Sequence, residues 1–372
     1  MNPYDFVRID WEHPGRRGPV LKADRFGGIS GRLEGTITTL TPFMILGKQP
    51  GNLNDPRTSL RNEQRHALIP GSSLKGMIRN LVETVSGGAW WFFGDRGTQG
   101  TWSDKQVQGG KVNYSPQLPS TFRRPRNRDD LDAACRMFGF LGGQGNNGDS
   151  QALLGRVSFD DGICVAPQED QAIYTCILST PKPRHQVWYL DSKGQRVAGR
   201  KFYFHSQKPQ TESGWRPRDC QPGKNCQNQY IKPLAADNTF TFQAQFTGLD
   251  ADDFALLLYA LVLEEGMRHK FGYAKPAGLG SVHIQLNWIK LIDYQARYRS
   301  GGGVTRYERA GADGETLQPF LAQQIASYAN NRTSVTLQDL RRIWQWPPVH
   351  VQMYPSQHWF ATDPTTPIHK TP

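Results

Sequence analysis

The chain has 372 residues, with 44 Lys and Arg against 33 Asp and Glu, and its formal net charge at pH 7 is +11. This length allows one elaborated domain or two, and the positive charge favours a polyanionic partner, nucleic acid ahead of a membrane surface. The five cysteines are odd in number, which argues against a secreted disulfide framework. No apolar run could span a bilayer and residues 1–15 lack a signal-peptide core, so we expect a cytoplasmic protein with no membrane partner.

The chain begins with a polar arm rich in Gly and Pro, which we expect to pack on the domain that follows. Residues 31–42 then alternate between apolar or small and polar side chains, as a strand does, and end at a proline. We divide the chain into an N-terminal arm (1–30), a main domain (31–287) with an insertion at about 163–237, and a C-terminal extension (288–372).

Residues 67–88 contain the clearest helix pattern. Apolar residues recur every three or four positions between Leu74 and Val85, so one face should be buried. Ser72 or Ser73 is the predicted N-cap, and Lys75 and Arg79 lie off the apolar stripe. Free N–H groups at such a helix start, with a lysine beside them, favour an anion such as phosphate. The GxxxxGK[ST] order of a Walker A loop is missing, and the alternative is an ordinary capped core helix.

Residues 89–150 are irregular and carry two features of interest. The aromatic cluster at 90–93 is interpreted as local core, with base stacking as the alternative. The basic run contains Arg123, Arg124 and Arg126. It is either a solvated loop or a phosphate contact, and the sequence does not favour one of these over the other.

The rest of the chain alternates between periodic segments and turns. In the insertion, residues 187–190 and 200–204 flank a turn-rich centre and predict a β-hairpin that carries aromatic residues and positive charge. A glycine-rich loop with several cations occupies 268–280. The other predicted elements are strands at 155–161, 238–247 and 282–286, and helices at 130–138, 250–265, 315–328 and 336–345.

The order of the main elements is β-α-β-β-α-β, with the insertion between the second and third strands. This order predicts an α+β fold of the ferredoxin-like type shared with the RNA recognition motif, followed by a helical C-terminal extension. Such a sheet is antiparallel and has both helices on one face. The usual aromatic motifs of RNA recognition motifs do not occur on the central strands, so we do not expect bases to stack on the sheet itself.

Four stretches carry a resemblance to a known family: TITTLTPFMILG (36–47), IPGSSLKGMIRN (69–80), GRVSFDD (155–161) and HKFGYAKPAGLGSV (269–282). Together they resemble the RAMP superfamily of CRISPR–Cas proteins over roughly residues 30–290. The sequence is most similar to backbone subunits of type III effector complexes. The phrases NPYDFV and RKFYFHS, at 2–7 and 200–206, resemble the type III-D branch of that group.

The resemblance implies a role in antiviral defence as part of a ribonucleoprotein. The chain would bind guide RNA (crRNA), pair it with complementary target RNA, stack on copies of itself in a filament, and contact other CRISPR effector subunits. The insertion would supply a β-hairpin thumb. The residues that would contact RNA are Ser72, Ser73, Lys75, Arg79, Arg123, Arg124, Arg126, Lys182, Arg184, Lys201, Lys270 and Lys275.

The resemblance also raises the question of catalysis. Active relatives carry an aspartate in the loop before the first helix, in a pattern resembling Ile-Asp-Asn-Pro, whereas this chain reads Leu53-Asn54-Asp55-Pro56. The acid is displaced by one position, which favours a non-catalytic scaffold. The alternative is a divalent-metal-dependent endoribonuclease, with Asp55 and Mg²⁺ or Mn²⁺. A guide-processing endoribonuclease is a third hypothesis, with His66 as its nearest candidate base.

The cysteines provide one further hypothesis. Cys220 and Cys226, with Cys164, Cys176 or His205, are candidates for a structural Zn²⁺ site in the insertion. Their spacing is not that of a standard zinc motif, so ordinary reduced thiols are the default interpretation. The sequence requires no other cofactor.

Overall fold

The structure is a computed structural model that describes residues 2–20, 27–52, 54–90, 119–125, 127–144, 150–175, 191, 196–206, 229–294, 297, 309–329, 334–349, 366 and 368. The strands up to the insertion are β1 (Tyr4–Val7), β2 (Ile29–Thr39), β3 (Arg57–Thr58), β4 (Ala67–Ile69), β5 (Phe140–Gln144), β6 (Ser150–Leu153), β7 (Val157–Phe159) and β8 (Gly162–Cys164). The later strands are β9 (Ile173–Tyr174), β10 (Arg200–Tyr203), β11 (Tyr230–Lys232), β12 (Thr239–Leu249), β13 (His269–Lys270), β14 (Ser281–Leu291) and β15 (Arg309–Asp313). The α-helices are α1 (Gly71–Val85), α2 (Ala133–Phe138), α3 (Ala251–Val262), α4 (Gly314–Ala329) and α5 (Val335–Ile343).

An eight-stranded sheet forms the centre of the molecule. Its main path is β13-β14-β2-β12-β8-β4, with β7 also paired to β12 and β15 to β14. The pairings recorded between these strands are antiparallel. Period-two alternation buries one side of β12, where Phe240, Phe242 and Phe246 are at most 2% exposed. The fold is therefore of the α+β class with an antiparallel sheet, as the sequence predicted.

The helices α1 and α3 join the same hydrophobic core as the sheet. The predicted apolar stripe of α1 is buried, including Leu74 and Ile78. Helix α3 is apolar nearly all round, and it is buried along most of its length. The Asp250 carboxylate accepts a hydrogen bond from the N–H of Asp253 (2.8 Å), so Asp250 is the N-cap of this helix. Among the described residues, no helix is both long and apolar enough to cross a bilayer.

The N-terminal arm is attached to the insertion and to the C-terminal extension. Strand β1 pairs antiparallel with β10, with Tyr4 opposite Tyr203. Asp339 on α5 accepts from the guanidinium of Arg8 (2.7 Å). The sequence predicted that residues 200–204 pair with 187–190. The structure pairs β10 with β1, and residues 187–190 lie outside the described part of the chain.

The glycine-rich loop packs on the segment that follows β2. The N–H of Tyr273 donates to the carbonyl of Met44 (2.8 Å), and the N–H of Gly280 donates to the carbonyl of Pro42 (2.9 Å). Gly280 has φ +90°, and a Cβ at this position would lie 2.1 Å from the carbonyl oxygen of Phe271. Only glycine fits there, because both the backbone conformation and the close approach exclude a side chain.

Candidate nucleic-acid interface

The start of helix α1 is capped differently from the prediction. Its N-cap is Pro70, with no side-chain cap, so the expected capping by Ser72 or Ser73 is wrong. The N–H of Gly71 instead donates to the carboxylate of Asp161 (2.7 Å). A Cβ on Gly71 would lie 2.1 Å from the Phe159 carbonyl oxygen. A glycine at this position therefore allows the start of the helix to pack against the turn between β7 and β8. The Asp161 carboxylate therefore already balances part of the positive helix end.

Two predicted cations follow on α1 and differ in their partners. Arg79 donates through Nε to Glu83 (2.8 Å) and through a terminal nitrogen to the carbonyl of Gly139 (3.1 Å). In the described residues, the ammonium of Lys75 has no hydrogen-bond or carboxylate partner. Burial lowers the pKa of Lys75, and the charge of Arg79 adds to this effect. Lys75 is thus the cation of this pair whose charge is available to an anion.

A second group of predicted cations surrounds the glycine-rich loop, and we call it the lysine cluster: Lys201, Lys270 and Lys275. The Nζ of Lys201 lies 3.6 Å from the ring centroid of Tyr4 and 4.9 Å from that of Tyr203. The Nζ of Lys275 lies 5.7 Å from the same Tyr203 ring and donates to the carbonyl of Gly272 (2.9 Å). The structure therefore brings together three lysines that lie far apart in sequence.

The lysine cluster has no counter-charge among the described residues. Burial lowers the pKa of Lys201 to about 8 and that of Lys270 to about 7, and the charge of Lys275 adds to both shifts. Burial also lowers the pKa of Lys275. No carboxylate of the described chain offsets these shifts, so the site favours an anion supplied from outside.

A buried hydrogen-bond network positions Lys270. Because burial holds the pKa of His205 well below its usual value, the ring is neutral, and its Nε2–H donates to the carbonyl of Arg268 (3.0 Å). Its Nδ1 accepts from the hydroxyl of Ser281 (2.8 Å). Lys270 donates to the same hydroxyl oxygen (3.2 Å) and to the carbonyl of Gly278 (3.0 Å). This network fixes the lysine relative to the loop and to the segment after β10.

The remaining predicted cations lie elsewhere or outside the described residues. Arg124 donates to the carbonyl of Leu141, next to the β5–β6 ribbon, and the side chain of Arg123 is exposed. Ser72 is exposed and Ser73 is half-buried at the start of α1. Arg126, Lys182 and Arg184 lie outside the described residues, as do residues 91–93 of the aromatic cluster.

The candidate catalytic aspartate lies on an exposed turn. The N–H of Asp55 donates to the carbonyl of Asn52 (3.1 Å), and its side chain is open to solvent. Within the described ranges, no group of three His, Cys, Asp or Glu residues could hold a metal ion. Cys220, Cys226 and Cys176 lie outside those ranges, and His66 is half-buried in the loop before β4.

Sequence reasoning missed two aromatic members of the site, Tyr4 and Tyr203. Both lie in the two phrases that resembled the type III-D branch, and these phrases form the paired strands β1 and β10. The available signal was that both phrases are short and rich in aromatic residues, at 4 and 6 and at 202–204. This composition is typical of strands, but only the structure shows that the two strands pair with each other.

Comparisons with known proteins give one family match. The model of the RAMP superfamily matches residues 36–283, two thirds of the chain. No curated protein matches. The crystal structure of Thermofilum pendens Csc2 aligns with this chain at 12% sequence identity and a TM-score of 0.35. The alignment covers 85% of this chain and 86% of the Csc2 chain. On the family match, the chain belongs to the RAMP superfamily of CRISPR-associated proteins.

Proposed function

We propose that the chain is a guide-RNA-binding backbone subunit of a CRISPR type III-like ribonucleoprotein, which presents the guide for pairing with target RNA. The observation that carries this proposal is the lysine cluster, which is held around the glycine-rich loop and lacks a carboxylate partner in the described chain. Ammonium groups contact phosphates whatever the base, as a subunit that must hold any guide requires.

The fold supports the same proposal. The path β14-β2-β12-β7 places the four main strands in the order 4-1-3-2, counted along the chain, with antiparallel neighbours. This order supports a ferredoxin-like core of the kind that RNA-binding domains use. The partners are guide RNA, target RNA, further copies of the chain and other effector subunits.

Retention of guide RNA tests the proposal. We expect the assembled complex carrying Lys201→Met with Lys275→Met to retain about tenfold less guide, because two phosphate contacts are lost while the aliphatic stems remain. Lys290→Met is the matched control, since Lys290 is exposed at the other end of β14, over Trp288. Guide per protein is measured by absorbance and gel electrophoresis after purification. Equal retention by the double variant and the control would overturn the proposal.

The alternative function is cleavage of target RNA through Asp55, whose exposed carboxylate is accessible to RNA. A hard divalent cation held by Asp55 would take its other oxygen ligands from RNA and water. Labelled target RNA is incubated with the assembled complex and Mg²⁺ or Mn²⁺. If the wild-type complex cleaves the target, and Asp55→Ala abolishes cleavage without changing target binding, the nuclease function is supported. If the wild-type complex leaves the target intact, only the scaffold role remains.

A further inference from the structure

We propose that Tyr174 and Tyr230 form a stacking platform for an unpaired nucleobase of RNA. We call this pair the tyrosine platform. The proposal rests on the RNA-binding function proposed above and adds a base contact at a separate place on the molecule. The two residues are directly opposite each other on β9 and β11. Their ring centroids are 4.4 Å apart, and the ring planes are inclined by only 20°.

The alternation of the strands explains why these rings face outward. In the three-stranded sheet β3-β11-β9, Ile173 and Ile231 pack on the glycine-rich loop, in a cluster with Met44 and Leu279. The neighbouring positions point to the opposite face, because side chains alternate along a strand. Tyr174 is 42% exposed even though its ring lies against a second ring. A large part of Tyr174 is therefore exposed to solvent beside the stacked pair.

The charges beside the tyrosine platform suit a nucleotide. Lys232 follows Tyr230 by two positions and so shares its face of β11. Its ammonium contacts Glu169 (2.7 Å), and Arg61 contacts the same carboxylate (2.8 Å). The carboxylate of Glu169 is thus shared by two cations on this part of the surface. A base on the ring and a phosphate near these cations satisfy both features, since every base has a π-face and every nucleotide a phosphate.

The location connects the tyrosine platform with the rest of the proposed site. The buried face of the small sheet packs on Ala274 and Ala277, which flank Lys275 of the lysine cluster. Strand β3, at the other edge of the sheet, begins two residues after Asp55. A nucleobase on Tyr174 would therefore lie on the outer side of the small sheet whose inner side supports the glycine-rich loop.

A cross-strand tyrosine pair also stabilises a sheet without any ligand, and the test separates the two roles. The full chain is titrated with a labelled oligouridylate and with the same ribose–phosphate chain lacking bases. We expect Tyr174→Leu to bind oligouridylate about tenfold more weakly and the abasic chain as the wild type does. Tyr174→Phe, which keeps the ring, should bind both as the wild type does.

Photocrosslinking of the wild-type chain to bromouridine-substituted RNA provides a measurement that does not depend on variant folding. We expect an adduct on Tyr174 or Tyr230. The tyrosine platform would be overturned if Tyr174→Leu bound oligouridylate as the wild type does, or if it lost equal affinity for the two oligomers. It would also be overturned if the wild-type chain self-associated without RNA and Tyr174→Leu abolished that self-association. The proposed function is judged separately by the lysine variants; if the wild type binds neither oligomer, both proposals fail.

Discussion

Lys75 and Arg79 lie one helical turn apart on α1 and differ in what they contact. Arg79 holds Glu83 and the carbonyl of Gly139, so much of its hydrogen-bonding capacity is used within the fold. Lys75 lies beside Gly155, where a Cβ would come within 3.1 Å of its ammonium nitrogen. The family resemblance implied phosphate contacts for both residues, and the structure gives them different immediate roles.

We therefore predict that substitutions at these two positions affect different properties of the protein. Arg79→Ala should lower the free energy of unfolding by about 1–3 kcal/mol, because hydrogen bonds to charged partners are lost. Lys75→Ala should change stability by less than about 0.5 kcal/mol and weaken RNA binding several-fold. Denaturant titration and anisotropy with single-stranded RNA measure the two quantities. A stability loss for Lys75→Ala as large as that for Arg79→Ala would show that Lys75 is structural.

At the scale of elements, the glycine-rich loop places the lysine cluster. The loop leaves β13 and returns to β14, and it reaches back to Pro42 and Met44 through backbone hydrogen bonds. It also carries Lys275 on a short 3₁₀ turn. Its backbone geometry, more than its side chains, therefore sets the distance between Lys270 and Lys275.

Gly280→Ala tests this role of the loop. The new methyl group would meet the Phe271 carbonyl at 2.1 Å, in a residue with φ +90°. We expect a loss of about 2 kcal/mol or more in stability and weaker RNA binding, because the loop must shift. Gly266→Ala is the matched control: it has φ +77°, but nothing lies within 4 Å of its Cβ position. If both variants melt at the same temperature, the close approach at Gly280 is not what constrains the loop.

Local sequence patterns predicted both long elements and short ones, among them α2 and β7. The predicted segments around α1, α3, β12 and β14 are present because many residues of each repeat one period. Local patterns could not find the Asp161 cap of α1, which comes from 90 residues away. They also could not find the pairing of β1 with β10, nor that Lys201 reaches the loop containing Lys275. These contacts depend on tertiary packing, which a single sequence does not encode locally.

At the scale of the whole molecule, the net charge of +11 includes one buried lysine, Lys270, and two half-buried lysines, Lys201 and Lys275. Lysines with a lowered pKa lose charge near neutral pH, when most exposed lysines remain protonated. Lys201, with a pKa of about 8, and Lys270, with a pKa of about 7, are such groups. Their contribution to binding a polyanion should therefore depend on pH in a range where exposed lysines and arginines keep their charge.

We predict that RNA affinity falls as pH rises from about 6 to about 9 at constant salt, because the cluster loses protons. Stability should change in the opposite direction. The unfolded chain keeps these lysines protonated up to about pH 10, so it binds more protons than the folded chain from about pH 7 upward, and unfolding becomes less favourable. Anisotropy and thermal melting across this range measure both. RNA affinity that stays constant to pH 9 would exclude a contribution from these two ammonium groups.

The central claim is that the lysine cluster holds RNA through its phosphates without reading sequence. The most direct test is the salt dependence of binding for two single-stranded RNAs of unrelated sequence and equal length. We predict similar affinities for the two RNAs and equal slopes of log K against log salt. Lys201→Met should reduce the magnitude of both slopes by about 0.7, the value for one lost phosphate contact on a single strand. Slopes that Lys201→Met leaves unchanged, or affinities that differ by orders of magnitude between the two RNAs, would contradict the claim.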